Sequence, residues 1–165
     1  MFSVISAAPL PIEDLALTLQ REARLLGLDV GTKTVGLALS DVTCSIATPY
    51  KTLRRTKFTA DAKTIAGIVE EMGVGGLVIG MPYNLDGSEG PRAQSTRAFA
   101  RNLSTHVHVP MAFWDERYST AAVERHLIEA DASRKRRAEV VDRMAAAYFL
   151  QGALDRLRNL GMVPR

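Results

Sequence analysis

Three acidic residues carry the chemistry this chain is able to offer. Asp29 closes an apolar run, Glu116 stands in Asp115-Glu116-Arg117, and Asp142 interrupts the apolar stretch Val140, Val141, Met144 to Ala147. A carboxylate at the end of a buried strand is costly unless it is paired or holds a metal. Mg²⁺ favours carboxylate oxygens together with water and substrate phosphate over a closed protein cage. Two such ions, about 3.5–4 Å apart, activate a water and stabilise the leaving oxygen of a phosphodiester. The plainer assignments are a turn aspartate at Asp29, a Glu116–arginine pair and a solvated Asp142. The residues alone leave both readings open. Neighbouring strand residues face opposite ways, so only one of Asp115 and Glu116 easily turns toward a shared site.

These acids need elements to position them. Leu25–Val30 is a nearly continuous apolar run, as in a strand covered on both faces. Val35–Ser40 alternates large and small residues, and the intervening Gly31–Thr34 turn places Gly31 where a positive φ is expected. A third strand is expected over Ile46–Leu53, with Pro49 marking an edge or a bulge and Lys51, Arg54, Arg55 and Lys57 making its end basic. Helical spacing follows over Thr59–Met72, then a short buried strand at Gly75–Gly80 and a loop over Pro82–Gly87. Ser88 is placed to cap a helix reaching Ser104, and Val107–Trp114 reads as the last strand. Ser119 or Thr120 then caps a short helix to Ala130, and a long helix runs from about Ala138 to Arg158. The order is an α/β mixed five-stranded sheet, three antiparallel strands followed by alternating helix and strand, with helices on both faces. A doubly wound dinucleotide fold would alternate from its first strand.

Between the last two helices lies the basic run Arg134-Lys135-Arg136-Arg137. Read as a loop before a helix N-terminus, it sits at the end where the helix dipole disfavours positive charge. A phosphate-gripping role explains it better than local stability does, beside the plainer assignment of a solvated loop. Residues 1–24 read as an N-terminal extension, a packing arm or a loose tail, with Ile12, Leu15 and Leu19 at helical spacing. Residues 25–160 form the domain.

Composition narrows the classes. The chain has 165 residues, 47% of them hydrophobic, a net charge of +3 and one cysteine, Cys44. That suits a single domain with no internal disulfide and a partner that tolerates mild basicity, nucleic acid among them. No apolar run reaches the ~20 residues of a membrane span, and the N-terminus lacks a signal-peptide pattern, so a cytoplasmic protein is expected. Gly27–Thr34 misses the phosphate-loop spacing, and His106, His108 and His126 have no cysteine pattern to complete a zinc site.

Four motifs, in order, resemble the YqgF/RuvX family of pre-16S rRNA nucleases, also described as Holliday-junction-resolvase-like proteins. They are Leu28–Gly36, Val78–Ser88, Asp115–Thr120, and Asp142 with Ala145–Ala147, together spanning about Leu25–Leu154. The resemblance implies an RNase H-like fold and a nuclease dependent on Mg²⁺ or Mn²⁺. It implies that Asp29, Glu116 and Asp142 are the catalytic, metal-binding acids and that Lys33, Asn84, Arg117 and Thr120 line the site. The substrate it favours is precursor 16S rRNA, cut at its 5′ end during ribosome biogenesis, with pre-ribosomal particles as a partner, by a monomer or homodimer. A Holliday-junction-type DNA resolvase is the alternative, and branched DNA its substrate. A non-catalytic RNA-binding assembly factor would keep the fold with dispensable acids. A sugar-kinase or actin-like ATPase shares the Asp-x-Gly-Thr hairpin but needs a second such hairpin and a second domain.

Overall fold

A computed structural model describes residues 8–118 and 134–162, the side chains of 134–142 excepted. The strands are β1 (Arg24–Val30), β2 (Thr34–Ser40), β3 (Ala47–Arg54), β4 (Val74–Met81) and β5 (Met111–Asp115). The helices are α1 (Ile12–Thr18), α2 (Phe58–Glu71), α3 (Pro91–Leu103) and α4 (Arg134–Asn159), with a 3₁₀ turn at Glu116–Tyr118. The strands lie in the order β3-β2-β1-β4-β5. β1, β2 and β3 are joined antiparallel, while β1, β4 and β5 run parallel. This is the mixed sheet expected from the sequence.

Both faces of the sheet are covered. Leu26, Leu28 and Val30 of β1 join α2 and α3 in one core through Ile65, Phe99 and Leu103. Leu25, on the other face, joins α1 and α4 through Leu15, Phe149 and Leu150. The continuous apolar run of β1 follows from this double burial. Pro49 sits on the edge strand, opposite Ala38, where the register shifts between Leu37 and Ala38. A residue without an N–H is tolerated in that position.

α4 lies close against the sheet because glycines face it. A Cβ on Gly27 would stand 3.0 Å from the Ala146 carbonyl oxygen, and one on Gly80 would stand 2.4 Å from Phe149 Cδ2. The direction of α4 follows from its partners. Gln151 accepts from the Ala47 N–H and donates to the Ser45 carbonyl, and Arg158 also donates to Ser45. Its C-terminal half therefore lies at the end of the sheet where β1 begins, and its N-terminal half points toward the end where β1 stops.

Several local expectations are corrected. The basic residues Arg134 to Arg137 form the first turn of α4, not a loop before it. Lys and Arg are good helix formers, and the dipole penalty at a helix start amounts to only tenths of a kcal/mol. α3 is capped by Gly90 with Pro91 in its first turn; Ser88 instead donates to Asp86 and accepts from Asn84. Gly31 does not have a positive φ. Its N–H donates to the Thr34 carbonyl at 2.8 Å, closing the hairpin without the left-handed region. β5 begins at Met111, later than Val107, because the Val107 N–H still turns back to Leu103 after α3 and Pro110 has none to give. The segment before β1 is a packing arm from residue 8 onward. Leu15 of α1 is fully buried, and the Leu10 N–H donates to the Met111 carbonyl at 2.7 Å. The helix expected up to Ala130 lies outside the described residues.

Candidate functional site at the carboxyl ends of the parallel strands

β1, β4 and β5 end at the same edge of the sheet, so the residues that follow them share one surface. In open α/β sheets this edge, where neighbouring connections diverge, is where ligands bind. Asp29 is the penultimate residue of β1 and is 3% exposed. Strand alternation puts it on the α4 face, two residues beyond Gly27. Its neighbour in β2 is Gly36, and the register of Leu28 with Ile79 places Gly80 beside it in β4. Asp29 is thus flanked by two residues without side chains. The sheet supplies a buried carboxylate, and the Phe149 ring of α4 fills the space over Gly80 beside it.

Glu116 follows β5 in the 3₁₀ turn. Gly80 pairs with Trp114, so β5 reaches the level of Asp29 two residues before Glu116. Its Oε1 is shielded from solvent. Asp115 takes a different part. Arg117 Nη2 donates to Asp115 Oδ2 at 2.6 Å, and Arg117 Nε donates to both oxygens at 3.0 Å. The hydrogen bond from Arg117 is the main influence holding the Asp115 carboxyl below its usual range, and Asp115 in turn raises the guanidinium. The two adjacent acids are therefore divided between an ion pair and the interior, as the alternation of neighbouring residues requires.

The backbone of α4 places Asp142 one turn before Ala146. Four helix residues rise about 6 Å and two strand residues about 6.6 Å. A step from the Ala146–Gly27 contact toward the same end thus reaches Asp142 on the helix and Asp29 on the strand. The side chains of Asp142 and of Arg134, Lys135, Arg136 and Arg137 lie outside the described residues, as does Thr120 altogether. Among the described residues no group of three or more acids, histidines or cysteines is assembled to hold a metal. The donor set offered by Asp29 and Glu116 is oxygen alone, which suits a hard divalent cation.

The remaining expected residues surround this edge. Lys33 is exposed at the tip of the β1–β2 hairpin, and its carbonyl accepts from Arg55 at 2.8 Å. Asn84 is exposed in the loop after β4, where its Nδ2 donates to Ser88 Oγ and its N–H to the Ser88 carbonyl. Gly87 in that loop has φ +88°, and a Cβ there would lie 3.3 Å from Arg117 Nη1. Arg117 donates to the Leu85 carbonyl at 3.3 Å and sits over the Tyr83 ring at 5.7 Å. It therefore ties the loop after β4 to the turn after β5. Two arginines hold this edge through contacts that the sequence does not encode locally. Arg55 donates to the Gly31 carbonyl at 2.7 Å and lies over Phe99, pinning the hairpin beside Asp29. Arg97 pairs with Glu89 and covers Phe113, pinning the loop from the α3 side. No local pattern in the sequence points from Arg97 across to Glu89 or Phe113.

Comparison with known proteins gives a consistent account. The RuvX family, described as Holliday junction resolvase, matches residues 23–156. A protein of Paramagnetospirillum magneticum that bears the provisional name pre-16S rRNA nuclease is 63% identical over 145 residues, 88% of this chain and 93% of that protein. A protein of the same name from Cereibacter sphaeroides is 61% identical over 150 residues, covering 91% and 94%. Among solved structures, RuvC of Thermus thermophilus in complex with a Holliday junction substrate is similar with a TM-score of 0.54 at 10% identity, over 86% of this chain and 98% of that one. A second structure of Thermus thermophilus RuvC gives a TM-score of 0.54 at 12% identity, over the same shares of the two chains. At such identities the likeness is one of fold, and it is the RNase H-like fold that the sequence motifs imply.

Proposed function

The chain belongs to the RuvX family, and from that membership we propose that it is a nuclease that hydrolyses phosphodiesters of precursor 16S rRNA, maturing its 5′ end. The observation that carries the reading is Asp29, a carboxylate 3% exposed at the carboxyl edge of three parallel strands, with Glu116 delivered to the same edge by β5. A carboxylate at that edge is placed to ligate a cation together with water and substrate phosphate. The name borne by relatives about 60% identical favours RNA over a DNA junction.

In this reading Asp29, Glu116 and Asp142 hold Mg²⁺ or Mn²⁺, which when bound polarises the scissile phosphate and lowers the pKa of the attacking water. The chain's own residues do the rest. β2 and β4 hold β1 from both sides at Asp29, so its carboxylate is positioned before substrate arrives. Lys33, exposed on the hairpin tip, meets a phosphate; Asn84 and Thr120 line the path. Arg117 holds the loop after β4 in place through Asp115. The basic first turn of α4, Arg134 to Arg137, offsets the repulsion between clustered acids and a polyanion. A cytoplasmic protein working on pre-ribosomal particles completes the reading; no described helix is long and apolar enough to cross a membrane.

The test is incubation with Mg²⁺, Mn²⁺ or Ca²⁺ of a precursor 16S rRNA fragment, an unrelated single strand and a four-way DNA junction. Cleavage of the rRNA fragment at its mature 5′ end is expected with Mg²⁺ or Mn²⁺, and binding with little turnover in Ca²⁺, whose coordination is looser. Cleavage of the junction alone would replace this reading with the resolvase.

A further inference from the structure

We propose that the cleft between β5, α1 and the C-terminal half of α4 receives one unstacked nucleobase of a single-stranded substrate, stacked on Tyr118. This rests on the nuclease reading and deepens it, because it states which form of nucleic acid the site takes. The first observation is Tyr118 itself. It is 75% exposed, yet it stands two residues from Glu116 in the same 3₁₀ turn. Its ring meets Trp114 edge-on, centroids 6.4 Å apart and planes at 70°. An exposed ring in T-shaped contact with one neighbour leaves a face for a base, and stacking on such a face is the usual way in which proteins grip single strands.

The second observation is Trp114. It is 8% exposed, and its Nε1 has no hydrogen-bond partner among the described residues. A buried indole N–H normally finds an acceptor. The ring lies against Gly152 of α4, where a Cβ would stand 3.1 Å from Trp114 Cζ2, and both residues line the cleft. The Nε1 atom is itself shielded from solvent, so a base carbonyl would supply its missing acceptor only as the indole shifts toward the cleft.

The third observation is charge. Glu13 and Asp155 line the same cleft with Arg156, and Arg156 is already paired with Glu13 at 2.7 Å. Carboxylates repel a phosphate but accept from the amino groups of bases. The cleft is therefore built for a base, while the phosphates stay at the basic edge around Asp29. Its volume of about 700 Å³ is large enough to hold a base. A base in a duplex is stacked and paired, and cannot enter without paying to leave the helix.

Trp114 is the one tryptophan of the chain, so its fluorescence reports on the cleft. The experiment titrates the full-length protein, in EDTA so that no cleavage intervenes, with a single-stranded oligoribonucleotide and with the duplex of the same sequence. Binding of fluorescently labelled RNA by anisotropy runs in parallel. The single strand is expected to quench Trp114 and the duplex to do so far more weakly. Tyr118→Ala should weaken single-strand binding by about 5- to 150-fold. Tyr118→Phe, which keeps the ring, should bind as the wild type does. The proposal is overturned if labelled RNA binds without quenching, if Tyr118→Ala binds as tightly as the wild type, or if quenching follows protein concentration with no RNA present, as when a second copy fills the cleft. Quenching that depends on Tyr118 in a protein that cleaves nothing with Mg²⁺ would uphold the base site and discard the nuclease reading. Cleavage of precursor rRNA without quenching would do the reverse.

Discussion

At the scale of single residues, the division of labour between Asp115 and Glu116 decides how the site is read. Asp115 is spent on Arg117, which holds the loop after β4, while Glu116, just past β5, has an oxygen shielded from solvent. Glu116→Gln is therefore expected to lower cleavage by two or more orders of magnitude with the fold intact, and Asp115→Asn to lower it far less. The pH response separates them further. Asp115 has a depressed carboxyl in the folded protein. Its contribution to stability is present above the ordinary carboxylate value of about 4 and is lost as pH falls through the lowered native value. Asp115→Asn should therefore flatten the acid side of the stability curve, measured by thermal unfolding from neutral pH downward. Equal cleavage by both variants and the wild type would remove this motif from catalysis.

At the scale of elements, the approach of α4 to the sheet sets where its acid stands. Gly80 lies under the Phe149 ring and Gly27 under the Ala146 carbonyl, and both contacts are too close for a side chain. Phe149 is fully buried, so it cannot swing away into solvent. Gly80→Ala should destabilise the protein by about 1–3 kcal/mol through overpacking, read from urea unfolding. It should also cost more activity than stability, because lifting α4 displaces Asp142 relative to Asp29. Adding Phe149→Leu should restore part of both. If Gly80→Ala unfolds at the wild-type midpoint, the helix is not seated as closely as the contacts indicate. The loop after β4 belongs to the same scale: Arg117 and Arg97 fasten it from two neighbouring elements, and Gly87 takes the left-handed conformation that leaves room for Arg117.

At the scale of the whole molecule, the parallel strands collect function at one edge. Lys33, Arg54, Arg55 and Lys57 stand at that edge on the β3 side, and the basic first turn of α4 extends beyond it. Replacing Arg134, Lys135, Arg136 and Arg137 together by alanine should weaken binding of every nucleic acid alike. It should flatten the dependence of log affinity on log salt by about 0.7–0.9 for each lost phosphate contact. Alanine also favours helix, so α4 should persist in circular dichroism. An unchanged affinity and salt slope would leave this turn a solvated helix start.

The sequence by itself determined the sheet and the acids worth watching. The apolar run of β1, the alternation of β2 and the helical spacing of α2 are local patterns, and each is enforced by burial on one or both faces. Asp29 was legible because a carboxylate closing such a run violates the pattern that surrounds it. Tertiary structure alone decided what depends on residues far apart in the chain. Leu15 completes a core with Phe149 and Leu150, so the arm before β1 belongs to the fold, although its spacing fits a loose tail equally well. Arg97 finds Glu89 and Phe113, and Arg55 finds Gly31 and Phe99, across distances no local pattern encodes. The start of α4 at Arg134 was hidden because a run of like charges reads as a loop, while packing of the rest of the helix extends it through that run. The cleft beside Tyr118 joins α1, β5 and α4, which only the closed fold brings together.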